Sequence, residues 1–386
     1  MKFLKILLTA LILAGCSNTN VEDPVIDEPV IDEVKEDKVV SFMAVGDNLI
    51  HGAIYMDAYA RHGKYEFRDM YEPVKEFVQS KDIAYINQET PLGGTQLGLS
   101  HYPMFNSPQE VGEALVDTGF DWIKTASNHS MDKFEKGILS SLEFWNQYED
   151  IVTVGTNASF EEQKENKYIV RNDVKFGVLG YTYGTNGISL PSGKEYLVNL
   201  INKDRIKEDV ERLKGTCDSI IVSIHWGEEY QTKPNAEQKE LAKFIANLGV
   251  DVIIGEHPHV IQPMDWVERD DGKETLVIYS LGNFLSSQVT IEGMLGGCAA
   301  FDIRKNGETG EITVENVKWY PTMTHYNMGG NYANGTRHYK VYLLKDYSEE
   351  LAKNHGLNPK VNYKITRDYL IELTEKIMND KFEIVY

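Results

Sequence analysis

The stretch Asp251-Val-Ile-Ile-Gly-Glu-His-Pro-His259 decides how this chain folds. Val252, Ile253 and Ile254 make a short apolar run typical of a buried strand, Gly255 permits a turn, and His257 and His259 fall on the loop beyond. A buried strand that stops in polar, metal-capable side chains is how α/β proteins build sites at the carboxyl ends of their strands. Pro258 fixes its own φ and cannot prolong a helix, so the two imidazoles sit on a stiff segment that loses little entropy on binding. One histidine pair fits a core position as well as a metal site, and the rest of the chain has to separate the two.

Working outward, the same pattern recurs upstream. Apolar runs at residues 40–45, 83–86, 120–125 and 219–224 end respectively at Gly46-Asp47, at Asn87-Gln-Glu89-Thr-Pro91, at Ser127-Asn128-His129 and at His225-Trp226-Gly227. Further strands are expected at 151–154 and 175–182. Helical periodicity lies near 69–79, 108–118, 134–148, 203–213 and 236–248. Strands alternating with helices indicate an α/β domain. After His259 the texture changes, because 276–279, 298–303 and 311–319 read as strands without intervening helices and so suggest a second sheet. Residues 362–378 are again helical in pattern.

Composition bounds the rest. The chain has 386 residues, 42% of them apolar, enough for a large core. Its formal net charge of -20 excludes the basic footprint that nucleic acid requires. Lys2 and Lys5 precede an apolar run at 6–14, too short to span a bilayer comfortably and shaped like a secretory signal. It ends in Leu13-Ala14-Gly15-Cys16, which resembles a bacterial lipobox, so Cys16 is expected to carry lipid at the outer face of the cell membrane; ordinary signal cleavage is the plainer alternative. Residues 17–38, with Pro24-Val-Ile-Asp-Glu28 followed by Pro29-Val-Ile-Asp-Glu33, are acidic, lack aromatics and read as a disordered tether. The expected organisation is a signal at 1–16, the tether at 17–38, a main domain at 39–325, and a C-terminal extension at 326–386 whose helix packs on it. Cys217 and Cys298 are expected as small buried thiols rather than a disulfide framework.

Asp47, Glu89, Asn128 with His129, His225, and His257 with His259 therefore all stand just past apolar runs. Carboxylates, an amide oxygen and neutral imidazoles suit a divalent zinc, manganese or iron ion, and Glu89 has two oxygens with which to bridge a pair of ions about 3.5–4 Å apart. Each residue also has a structural explanation. Asp47 can cap a helix, Asn128 can make a turn, His129 can be a hydrogen-bonded core histidine, and Trp226 can simply pack. Glu228 and Glu229 are expected to be exposed, one of them orienting His225, and Asp132 can hold His129 in the same way.

In their order, Gly46-Asp47, Asn87-x-Glu89-Thr-Pro91, Asn128-His129-x-x-Asp132, His225-Trp-Gly-x-Glu229-Tyr230, Gly255-x-His-Pro-His259 and Tyr279-Ser-Leu-Gly-Asn283-Phe284 resemble the bacterial capsule-synthesis proteins of the CapA type. That family is linked to poly-γ-glutamate and lies within the calcineurin-like metallophosphatase superfamily. The resemblance covers about residues 40–290. It implies a metallophosphatase-like four-layer α/β/β/α sandwich, two stacked sheets flanked by helices. Carried over position by position, it implies Asp47, Glu89, Asn128, His225, His257 and His259 as metal ligands. His129, oriented by Asp132, would assist the leaving group, and Glu229 and Asn283 would stand behind the ligands or at the substrate.

Three positions depart from the pattern. Leu49 occupies the place of a ligand histidine, Glu89 that of an aspartate, and Glu256 that of a smaller residue. One ion would keep Glu89, Asn128, His225 and His257. The other would have Asp47, Glu89 and His259, one ligand short, so one firm and one weak site are expected unless His51 substitutes. The implied function is that of a lipid-anchored surface protein in poly-γ-glutamate synthesis, export or anchoring, working beside membrane-embedded capsule subunits. In a hydrolytic version water attacks a phosphoryl or carbonyl centre and His129 protonates the leaving group. An acidic protein needs a local cation to hold that polymer, either the metal or Lys124 and Lys133. The alternatives are an extracytoplasmic phosphoesterase with another substrate, and a non-catalytic polymer-binding scaffold.

Overall fold

The computed structural model describes residues 35–327 and 336–386. The expected signal at 1–16, its Cys16, and the tether up to residue 34 lie outside the described residues, and Lys38, the last tether residue, already opens the first strand. Residues Glu36–Tyr386 form one compact unit.

Near-continuous burial on both faces marks the first sheet, built around β1 (Lys38–Asn48), which pairs in parallel with β2 (Ile83–Asn87), followed by β3 (Trp122–Lys124) and β4 (Val152–Val154). The parallel steps need crossovers, supplied by α1 (Gly52–His62), α2 (Arg68–Gln79), α3 (Glu110–Thr118) and α4 (Phe134–Trp145). After α5 (Phe160–Lys164) the chain makes the second sheet from β5 (Tyr168–Arg171), β6 (Val174–Thr182), β7 (Ser219–His225), β8 (Val252–Glu256), β9 (Ile261–Glu268) and β10 (Glu274–Leu281), in the order β5-β6-β7-β8-β10-β9. Helices α6 (Lys203–Leu213) and α7 (Ala236–Asn247) connect β6 to β7 and β7 to β8. A capping box starts α7, with Asn235 accepting from Gln238 N at 2.8 Å and Gln238 accepting from Asn235 N at 3.0 Å.

The last strands do not form the second sheet. β11 (Asn283–Leu285), β12 (Leu295–Lys305), β13 (Ile312–His325), β14 (Lys340–Leu343) and β15 (Glu383–Ile384) return to the first, in the order β14-β13-β12-β1-β2-β3-β4, with β11 beside β1 and β15 beside β13. Only β10 of the late runs joins β8. The expectation failed because an apolar run identifies a strand but carries nothing about its partner. Residues 326–386 accordingly supply two strands of the first sheet besides α8 (Glu349–Lys353) and α9 (Arg367–Ile377).

Strand alternation then explains the layers. In β7, Ile220, Val222 and Ile224 pack with Ile206 and Val210 of α6 and Ile245 of α7, while Ile221 turns to the other sheet. Phe42 of β1 meets Phe176 of β6 edge-on at 4.9 Å between centroids, so the two sheets stack directly. On the other side Phe77 of α2 lies against Tyr320 of β13 at 4.8 Å. The result is two stacked sheets flanked by helices, as expected. Cys298 is buried, Cys217 half-buried, and both are free. Among the described residues no helix is long and apolar enough to cross a membrane.

Candidate metal centre

Because β1, β2 and β3 run parallel, as do β7 and β8, each sheet delivers its carboxyl ends to one side, and the two sets meet. The first sheet contributes Asp47 at the end of β1, Glu89 just past β2, and Asn128 and His129 after β3. The second contributes His225 as the last residue of β7, then His257 and His259 beyond β8. Gly46 makes this approach possible: Asp47 N donates to Gly282 O at 2.9 Å, and a Cβ on Gly46 would lie 1.8 Å from that oxygen.

The histidine loop is held, not merely stiff. His257 and His259 have φ of 100° and 59°, a region that side chains other than glycine enter at a cost of about 1–2 kcal/mol. The loop is tied by Tyr230 N donating to Pro258 O at 2.8 Å and by Asn283 Nδ2 donating to His259 O at 3.2 Å. Asn283, expected behind the ligands, also has its Oδ1 3.1 Å from His259 Nδ1.

His259 Nδ1 lies 3.1 Å from Asp47 Oδ2, and its Nε2 lies 3.7 Å from Glu89 Oε1. His225 Nε2 is 2.9 Å from Asn128 Oδ1 and 3.8 Å from Glu89 Oε1. The rings of His225 and His257 are 4.7 Å apart. All six expected ligands are buried around one point. Among the described residues two triads of acidic and histidine side chains bring ligand atoms within 4.8 Å of one another, namely Asp47–Glu89–His259 and Glu229–His257–His259. His51 enters neither. Its Nδ1 accepts from Ser287 N at 3.2 Å, and its ring packs on Phe105.

Glu89 sets the electrostatics. It is 1% exposed, yet neither carboxylate oxygen finds a hydrogen-bond partner among the described residues, and His257 Nδ1 is likewise orphaned. Burial, reinforced by the Asp47 charge, holds the Glu89 carboxyl well above the usual range. Burial alone would lower His259, but Glu89 and Asp47 outweigh it and raise it to about 9. Burial pushes His257 down to about 3 and His225 well below its ordinary value, so those two stay neutral, the state a metal ligand needs.

His129 and Asp132 stand beside this cluster. Asp132 Oδ2 lies 2.7 Å from His129 Nδ1 and accepts from Phe105 N at 2.6 Å, which fixes ring and carboxylate together. Two groups escaped the sequence. Asn87 Nδ2 donates to Asp47 Oδ1 at 2.7 Å, and Asn186 Oδ1 accepts from Asn128 Nδ2 at 3.2 Å. Asn87 stood inside a quoted motif, whereas Asn186 sits on a loop with no signal to single it out. Lys124 requires a correction. It is fully buried, with Nζ 3.1 Å from Glu256 Oε2, because as the last residue of β3 it points between the sheets; it is not a polymer-binding cation. Lys133 is half-buried.

Residues 41–288 match the family described as Bacterial capsule synthesis protein PGA_cap. The chain belongs to that family. The matched segment contains every residue of the centre. Of its relatives, "Capsule biosynthesis protein CapA" of Bacillus anthracis is 29% identical over 206 residues, covering 52% of this chain and 49% of that protein. "PGA biosynthesis protein CapA" of Bacillus subtilis (strain 168) is 32% identical over 217 residues, covering 53% of each. The chain thus matches about half the length of these curated relatives. Among solved structures, a novel phosphatase from Mycoplasma pneumoniae aligns with a TM-score of 0.44 at 18% identity, covering 73% of this chain and 93% of that one.

Proposed function

We propose that this protein is a lipid-anchored component of poly-γ-glutamate capsule formation at the outer face of the cell membrane. In this role it acts in synthesis, export or anchoring through a divalent-metal centre that hydrolyses or transfers a bond. Membership of the capsule-synthesis family supports the pathway. The observation that carries the chemistry is Glu89, a buried carboxyl with both oxygens bare at the meeting point of four ligand-type side chains, Asp47, Asn128, His225 and His259. A bare buried carboxylate costs several kcal/mol unless a cation joins it, so the donor set fits a divalent ion.

Glu89, Asn128, His225 and His257 would hold one ion, and Asp47, Glu89 and His259 the other. His225 Nε2 lies 2.9 Å from Asn128 Oδ1 and 3.8 Å from Glu89 Oε1, so these three would be on hand for the first ion. When bound, the metal would polarise the scissile bond and acidify water. His129 is the proton donor to the leaving group, and Asp132, 2.7 Å from its Nδ1, fixes the ring with Nε2 turned away from the carboxylate. Burial of the site keeps these dipoles fixed and bulk water out.

Metal analysis of purified wild type and His257→Ala tests the centre. Metal in the wild type that is reduced in the variant is expected; a wild type without metal, indistinguishable from the variant, removes the enzymatic proposal. Product release from poly-γ-glutamate compared with an aryl phosphodiester then separates the capsule role from a general phosphoesterase. Cys16→Ser should release the protein from the membrane fraction, and unchanged fractionation refutes the lipid anchor.

A further inference from the structure

The two-ion centre is one protein ligand short, and the residues nearest in sequence do not fill the gap. Leu49 is an apolar core residue whose N donates to Leu285 O at 2.9 Å. His51 Nδ1 is engaged by Ser287 N. Two ions carry four positive charges, against which, among the described residues, the buried members of the two triads supply the carboxylates of Asp47 and Glu89.

Glu229 approaches from solvent. It follows β7 on a short loop bounded by Gly227 and Tyr230, with φ of 84° and 65°, and the Tyr230 N to Pro258 O bond ties that loop to the histidine loop. A carboxylate oxygen of Glu229 lies within 4.8 Å of ligand nitrogens of both His257 and His259. A second observation bears on the same loop: His257 is 3% exposed and its Nδ1 has no partner among the described residues, an unsatisfied atom that a cation would take up. Orienting His225 does not explain Glu229. His225 Nε2 already meets Asn128 and its Nδ1 lies 3.4 Å from Asn87 Nδ2.

We propose that Glu229 is itself a metal ligand, closing the solvent mouth of the centre with His257 and His259 and replacing the ligand that Leu49 removes. This rests on the centre holding divalent metal. A third carboxylate lowers the uncompensated charge, and an exposed one can swing onto the ion without carrying the burial cost that Glu89 bears. The loop explains why Glu229 rather than Glu228 takes this role. Both are exposed, but only Glu229 joins the histidines.

The test uses the full chain, stripped with chelator and titrated with Mn2+, reading stoichiometry by elemental analysis and affinity by calorimetry for wild type, Glu229→Gln and Glu228→Gln. Glu229→Gln should lose one ion, or bind it at least about tenfold more weakly, while Glu228→Gln matches wild type. The metal-free melting temperature of Glu229→Gln should equal that of metal-free wild type, which shows the loss is not misfolding. Wild-type stoichiometry and affinity in Glu229→Gln overturn this assignment alone. A wild type that binds no Mn2+ overturns both it and the metal centre.

Discussion

Replacing Glu89 by leucine should make the metal-free protein more stable and the metal-loaded protein less so. Each buried polar atom without a partner costs about 1–3 kcal/mol, and Glu89 has two. Leucine removes both at similar volume, with a repacking penalty below about 1.5 kcal/mol. Opposing this is the pull of Glu89 and Asp47 on His259, which after the opposing effect of burial leaves it raised from 6.5 to about 9, a net shift worth about 3 kcal/mol. A raised histidine pKa contributes stability that is fully present below 6.5 and lost as pH rises through about 9. The variant should therefore gain little at pH 6 and about 2–4 kcal/mol above pH 9, a rise of several degrees in melting temperature. With Mn2+ at a hundredfold its Kd, the wild type gains about 2.7 kcal/mol that the variant largely loses, so the order inverts. Thermal melts in chelator at both pH values and in saturating Mn2+ check this. A Glu89→Leu protein less stable than wild type in chelator above pH 9 would refute the reasoning, because it would mean that Glu89 makes stabilising bonds in the metal-free state.

Below about pH 9 the metal must displace a proton from His259, and Glu89, which burial holds well above the usual carboxyl range, must also be ionised, while His257 and His225 are already neutral, so apparent affinity should fall at least about tenfold per pH unit from 9 to 7. Calorimetry in buffers of different ionisation enthalpy should detect at least about one proton released per loading, and a pH-independent affinity contradicts it. Asp132→Asn keeps an acceptor for Phe105 N but removes the charge behind His129. Turnover should drop by roughly 10²–10⁴ with metal content unchanged, and undiminished turnover excludes His129 as the acid. Lys124→Met removes the only cation at the buried Glu256, leaving it with the Tyr85 and Ser223 hydroxyls among the described residues, and should cost about 3–5 kcal/mol in urea unfolding; adding Glu256→Leu should restore most of it, and additive losses would show the pair is not coupled.

The centre was legible because strand ends are legible: a buried run that stops in Asp47, Glu89, Asn128, His225 or His257 marks both the strand and the side of the sheet it serves. What charge and pattern cannot convey is depth. Lys124 and Glu256 look like surface residues until β3 and β8 turn them toward each other between the sheets. Helix α1 escaped because its buried set, Gly52, Ile54, Tyr55, Asp57 and Ala58, includes an acid. Asp57 sits inside because it accepts from His338 N and Tyr339 N at 2.9 and 3.1 Å, partners some 280 residues away. Strand partnership was invisible for the same reason, since the pairing of β12 with β1 is a long-range event that no local window contains.

That pairing governs the order in which the chain can be finished. β1 lies between β2 and β12, in register from Lys38 opposite Lys305 to Val45 opposite Cys298. During synthesis its outer edge therefore stays open until residue 305 has been made, with a row of unpaired backbone groups offered to any neighbouring chain. Fragments ending before β12 should aggregate through that edge even when they contain every residue of the centre. The first strand thus depends for its protection on one made more than 250 residues later.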